Sequence, residues 1–532
     1  MGTNQALLVC SGDLRPSANL SCWETQQAME AKLAQAFAQH GWTIKRAHPY
    51  NPEKGHGFID YQWEGIRVFN SIDPKAPLVV AESVWQYSQH ILAGLISHQG
   101  PILIVANWDG QFPGLVGALN LTGSLTKAQV PYSFLWSEDF TDDFFQQGLQ
   151  EWLATGKIVQ DESHVRQFNP QDVDSQYAAK AEDLARKIKQ EKVIMGVFDE
   201  GCMGMFNAIV PDPLLHPLGF FKERLSQSTL YAKMLEIQDE EALPVLTWLQ
   251  DQGMSFQWGS DEEIELTPRQ SLEQAKMYIA ALRLAEEFGC GTIGIQYQQG
   301  LKDLVAASDL VEGLLNNSHR PPVQGKKQNI LFEGEALPHF NEVDECAGID
   351  GYITYQLWRS FGMDGDNTLH DLRYGEDYPV SGEDAFVWVL LISGAAPASH
   401  FIDGYAGAQS LRQPPMFFKK GGGTLRGISK PGRIVWSRVY IEDGQLKADL
   451  GLGTVPELPL EETERRWALT NPEWPIMHAI FDGVSRDQMM AKHKSNHIQV
   501  VYVDDKVDAL QMLYAKALVF EQLGIHTFIC GC

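Results

Sequence analysis

The chain has 532 residues, enough for three or four domains at about 150 residues each. Its composition, 44% hydrophobic and 21% charged, is that of a globular protein and excludes a disordered chain. A formal charge of −26 argues against nucleic acid and anionic membrane as partners, because both require basic surface, and it suits cations and neutral ligands.

The seven cysteines are odd in number, sparse and mostly set in apolar segments, which argues against a disulfide scaffold and for a reducing compartment. The opening residues lack a basic segment followed by an apolar run, and no apolar stretch reaches the roughly 18 residues of a membrane span. A soluble, cytoplasmic protein is expected, with neither nucleic acid nor membrane as partner.

Residues 1–160 read as an open α/β domain. Ala6–Ser11, Pro77–Ala81, Pro101–Asn107 and Val130–Leu135 are short apolar strands, and Glu24–His40 and Gly114–Leu125 have helical periodicity. Such alternation predicts a parallel sheet covered on both faces, with ligands at the carboxyl ends of its strands. Two loops stand there, Ser83–Tyr87 and Asn107–Gly114.

Residues 161–350 repeat the pattern in a second α/β domain. Gln176–Gln190 and Pro268–Phe288 are helices, and Lys192–Phe198, Thr292–Tyr297 and Asn329–Glu333 are strands. After about residue 380 glycine and proline become dense. Short strands are expected at Met416–Lys420, Thr424–Ile428, Arg433–Ile441 and Lys447–Gly451, forming an antiparallel sheet or barrel in a C-terminal domain, residues 351–532. The strand His497–Val503 and the helix Lys506–Leu523 close the chain. The predicted fold is therefore α/β: two Rossmann-like parallel-sheet domains followed by a domain with an antiparallel β-barrel.

The stretch from Asn341 to Tyr374 carries the chemistry. Glu342 and Asp344 precede a helical run, and a short β-like segment then ends in Asp371-Leu-Arg373. Two carboxylates leaving separate elements can meet, and Asn496-His497 downstream is the natural third member. This O/O/N set suits Mn²⁺, Mg²⁺ or another divalent cation, and it also supplies acid and base groups for moving a proton.

Several motifs, in chain order, resemble those of the L-fucose isomerase family. Trp85-Gln-Tyr87 is similar to its Trp-x-Tyr loop, and Gly201-Cys-Met203-Gly204-Met205 to its Ser-Met-Gly-Met loop. Glu342-Val-Asp344 resembles its Glu-Ala-Asp motif, Asp371-Leu-Arg373-Tyr its Asp-Val-Arg-His motif, Ser393-Gly394 its Asn-Ser-Gly, and Asn496-His497 its C-terminal Asn-His.

The resemblance implies that Glu342, Asp371 and His497 hold Mn²⁺ and that Glu342 and Asp371 serve as catalytic carboxylates. It further implies a homo-oligomer, trimer or hexamer, whose neighbours complete the site, and the interconversion of a free aldose and ketose of the L-fucose or D-arabinose type through an enediol. Arg15, Trp85, Met203, Gln296, Ser393 and Asn496 would bind the sugar.

The segment before Asp350-Gly351 runs about four residues longer than in that family, close to one helical turn, which leaves Glu345 as an alternative to Glu342. A sugar epimerase and a sugar-binding relative without turnover are the other readings.

Overall fold

The computed structural model describes residues 4–108 and 112–532. The first unit runs β1 (Gln5–Val9), α1 (Pro16–Gln39), β2 (Thr43–Arg46), α2 (Gln62–Ser71), β3 (Leu78–Glu82), α3 (Gln89–Ser97), β4 (Ile102–Asn107), α4 (Gly114–Lys127), β5 (Ser133–Ser137) and α5 (Asp143–Thr155). Its five strands form a parallel sheet in the order β2-β1-β3-β4-β5. The strands β3, β4 and β5 are buried along their whole length, as expected of strands covered on both faces. The strand order reverses between β1 and β3, the place where ligands bind in open α/β sheets.

The chain continues through β6 (Val165–Gln167), α6 (Ser175–Glu191), β7 (Val193–Phe198), α7 (Asp212–Leu215), β8 (Phe220–Leu225), α8 (Gln227–Glu236), α9 (Asp239–Asp251), β9 (Ser255–Phe256), α10 (Pro268–Phe288), β10 (Cys290–Ile295), α11 (Asp309–Leu315) and α12 (Glu345–Ser360). Strands β10, β7 and β8 form a second parallel sheet in that order. The helix α10 matches its predicted span. A Thr267 capping box with proline at its first turn opens it, and Gly289 in the left-handed region closes it.

The remaining elements are β11 (Asn367–Val380), β12 (Glu383–Leu391), β13 (Gln409–Ser410), β14 (Gly432–Glu442), β15 (Gln445–Val455), α13 (Leu460–Ala468), β16 (Ile476–Phe481), α14 (Arg486–Lys492), β17 (His497–Val503), α15 (Ala509–Leu523) and β18 (His526–Cys530). A mixed eight-stranded sheet has the order β14-β17-β11-β12-β16-β15-β18-β6, and β14 also pairs with β15. That extra pairing closes β14, β17, β11, β12, β16 and β15 into a ring of antiparallel partners. Strand β6 joins this sheet through β18. No helix among the described residues is long and apolar enough to cross a membrane.

Three predicted strands are not strands. Asn329–Glu333 is a turn, because Phe332 and Gly334 take positive φ of 48° and 65°, and Arg320 binds the Phe332 and Glu335 carbonyls across it. Met416–Lys420 is also a turn. Pro414 and Pro415 precede it, and the Pro414 carbonyl accepts from the amides of Phe417 and Phe418. Thr424–Ile428 makes only isolated bridges. The β-like segment at Asp371 is, conversely, part of a 14-residue strand. Strand β8 escaped prediction because Lys222, Glu223 and Arg224 hide its apolar ends.

Candidate active site

Glu342, Asp371 and His497 come together by three separate local devices. Asp371 on β11 and His497 on β17 are direct partners in the antiparallel register, which puts both side chains on one face of the sheet. Glu342 arrives from the turn before α12, where it and Val343 both take φ of 57°. A β-branched residue at positive φ is a strained conformation, and such strain collects at functional sites.

The Nε2 atom of His497 lies 3.5 Å from Glu342 Oε2 and 3.6 Å from Asp371 Oδ1, and it makes no hydrogen bond. Its other nitrogen, Nδ1, donates to Asp344 Oδ2 at 2.7 Å. Asp344 is itself buried. It caps α12 through the Ala347 amide at 3.0 Å and accepts from Arg438 Nη1 at 2.5 Å. A carboxylate behind one nitrogen and a free second nitrogen is how proteins aim a histidine at a metal.

The donor set therefore fits a divalent cation. Among the described residues, no three His, Cys, Asp or Glu side chains are drawn close enough to form a metal site as they stand. The spacings of 3.5 and 3.6 Å explain this, since donors on a small cation at roughly 2.0–2.1 Å stand about 3.0 Å apart.

Electrostatics couple the group. Burial opposes the charge on Asp344, yet Arg438 and His497 hold its carboxyl well below the usual carboxylate range. Burial likewise opposes a charged His497, but its hydrogen bond to Asp344 and the nearby Glu342 and Asp371 push it up to about 10. Burial pushes the Asp371 carboxyl up to about 6, against the pull of His497 and with Glu342 adding to the rise.

A pocket with a cavity volume of about 40 Å³ opens onto these carboxylates, lined by Glu342, Asp371 and four further predicted residues: Arg15, Trp85, Met203 and Ser393. Arg15 follows β1 and Trp85 follows β3, so both stand at the reversal of strand order, and both belong to the same chain as the carboxylates. Arg15 grips Asp13 with Nε and Nη2 at 2.8 and 2.5 Å and stacks over Phe417 at 4.7 Å. The buried Trp85 leaves its Nε1 without a partner. Met203, in the loop after β7, sits at φ 47° and packs in a cluster with Trp85 and Tyr87. The Ser393 hydroxyl donates to Glu342 Oε1 at 3.3 Å.

Other placements differ from expectation. Asn496 does not line the pocket; its Nδ2 donates to Asp371 Oδ1 at 3.1 Å and so orients that carboxylate. Gln296 lines a smaller cavity behind the pocket. Glu345 is turned away, held by Lys222 Nζ at 2.7 Å and the Val210 amide at 2.6 Å, so Glu342 and not Glu345 faces His497. Of the Asn107–Gly114 loop, residues 109–111 lie outside the described residues; Trp108 is a packing residue against Trp388, and Pro113 lines the pocket.

Sequence reasoning missed Arg373, Gln298, Phe417, Phe418 and Trp474, all in the pocket wall. Arg373, two residues after Asp371 on β11, was findable by strand alternation, whereas Gln298 lies in the turn after β10, where alternation carries no signal. The aromatic pair sits in the misread turn. The sequence matches no protein-family model and no curated protein.

Proposed function

We propose that the protein is a metal-dependent aldose–ketose isomerase acting on a free sugar of the L-fucose or D-arabinose type. The observation that carries this reading is the meeting of the buried Asp371 and half-buried Glu342 carboxylates with an Asp344-anchored imidazole nitrogen that makes no hydrogen bond, the two carboxylates facing a pocket also lined by Arg15, Trp85 and Ser393.

Glu342, Asp371 and His497 would hold Mn²⁺ or another divalent cation. When bound, such a cation would lower the pKa of the sugar hydroxyls and stabilise negative charge on their oxygens. The chain's own residues do the rest. One carboxylate of the Glu342–Asp371 pair takes the proton from C2 and returns it to C1, and the other carries the hydroxyl proton from O2 to O1, through an enediol. Asn496 and Ser393 fix the two carboxylates. The Trp85, Phe417, Phe418 and Trp474 rings exclude water and offer faces to the apolar side of the sugar. The Trp85 Nε1–H is free to donate to a sugar hydroxyl.

In the same reading, the closed ring of six antiparallel strands is the expected β-barrel, and the working form is a homo-oligomer, trimer or hexamer. The test is an NMR assay in D₂O with chelator-stripped protein, with and without Mn²⁺, on a panel including L-fucose and D-arabinose. Ketose signals and deuterium at C2 that require Mn²⁺ and vanish in His497→Ala support the isomerase. A new aldose without ketose indicates an epimerase. Tight metal binding with no change in any sugar indicates a binding protein.

A further inference from the structure

The carboxylate behind His497 has a support of its own. Asp344 divides its bonds: Oδ1 accepts from the Ala347 amide at 3.0 Å, and Oδ2 accepts from both His497 Nδ1 at 2.7 Å and Arg438 Nη1 at 2.5 Å. The oxygen that receives the imidazole N–H is thus the oxygen that Arg438 grips. The three groups come from three elements. Asp344 caps α12, His497 opens β17, and Arg438 stands in β14, which pairs with both β15 and β17 in the closed ring. Arg438 does not line the pocket.

Arg438 and Asp344 are both buried. A buried ion pair is a poor device for stability, because taking two charges out of water costs about as much as their attraction returns, and apolar residues of similar volume often serve as well. What this pair supplies instead is a fixed arrangement. Without Arg438, only His497 itself would hold Oδ2, and the carboxylate and the imidazole could turn together. With Arg438 in place, both carboxylate oxygens are tied to groups outside the site. The bond from His497 Nδ1 then fixes the ring and leaves Nε2 on the side of Glu342 and Asp371, at 3.5 and 3.6 Å.

We propose that Arg438 is a positioning residue: acting only through Asp344, it sets the direction of His497 Nε2 and so the affinity of the site for a divalent cation. The inference rests on the metal reading above and adds to it a residue from outside the pocket wall.

The test is calorimetric titration of Mn²⁺ into chelator-stripped full-length protein, with folding checked by circular dichroism. Arg438→Gln is expected to bind Mn²⁺ at least about tenfold more weakly than wild type, and Arg438→Lys, which returns a charged donor to Oδ2, to recover part of that loss. Lys516→Met is the control for a merely structural effect. It removes the buried cation that pairs with Asp350, also on α12, at 2.7 Å, and leaves the support of His497 intact, so it should bind Mn²⁺ as wild type does. Equal affinity in wild type and Arg438→Gln, or an equal loss in Lys516→Met, overturns the proposal. Should Arg438→Gln fail to fold, Arg438→Met, which leaves no polar atom of its own unpaired, is read in its place by the same criteria. A wild type that binds no Mn²⁺ removes the metal reading and this one with it; a wild type that binds, beside an Arg438→Gln that binds equally, removes this proposal alone.

Discussion

Replacing Asp344 with asparagine separates a metal-aiming role from a merely structural one. The native carboxylate accepts three bonds, from His497 Nδ1, Arg438 Nη1 and the Ala347 amide. An amide has one acceptor oxygen, so in either orientation its NH₂ faces at least one of these donors. Arg438 is 2% exposed and loses its charged partner. Removing one member of a buried ion pair costs about 3–5 kcal/mol, while asparagine can keep the helix cap through the Ala347 amide. His497, no longer held in one tautomer, should bind Mn²⁺ about 10–100-fold more weakly. Thermal or denaturant unfolding reads the first effect, and Mn²⁺ calorimetry on folded variant reads the second. A variant that is less stable but binds Mn²⁺ as tightly as wild type would refute the reasoning, because His497 would then not be a ligand aimed by Asp344.

Glu345→Gln removes one carboxylate from the buried Lys222, which keeps Glu200 at 3.1 Å, and is expected to lower stability by about 1.5–3 kcal/mol while leaving Mn²⁺ affinity unchanged; loss of Mn²⁺ would return Glu345 to the ligand set. Trp85→Phe keeps the ring packing and deletes only the free Nε1–H, so sugar affinity should weaken by about 1 kcal/mol, read as a raised KM with little change in melting temperature. Acid should unfold the chain well above the carboxylate range. Burial pushes His48, His370 and His478 down to about 3, so the unfolded chain binds more protons than the folded one below about 6.5. Their contribution is fully present above that pH and is lost as pH falls toward 3, on the order of 4 kcal/mol for each. Circular dichroism against pH checks this, and a chain still folded at pH 3 would contradict it.

The α/β alternation of the first 300 residues was legible because apolar runs of strand length alternate with helical periodicity, and burial on both faces demands that pattern. The span Pro268–Phe288 could be read to the residue because its proline, capping box and closing glycine are local signals. The C-terminal region was harder. Pro414–Gly423 looks strand-like through Met416, Phe417 and Phe418, yet these aromatics are apolar because two of them wall a pocket, not because they alternate in a sheet. Strand β6, three residues of mixed polarity, has no signal before β18 arrives to pair with it.

Within the site, the sequence by itself determined the residue types and the elements that bear them: a carboxylate before a helix, a second on a strand, and a histidine opening another strand. Only the tertiary structure decided which of them meet. The pairing of Asp371 with His497 is a register between strands more than 120 residues apart, a property of a sheet and not of either strand. The choice of Glu342 over Glu345 was likewise invisible locally, since both begin the same turn of chain. It rests on Lys222 from β8, which captures Glu345, and on a left-handed backbone that turns Glu342 toward the pocket. Charge neutralisation in a buried space depends on what packs alongside, and packing is known only once the chain has folded.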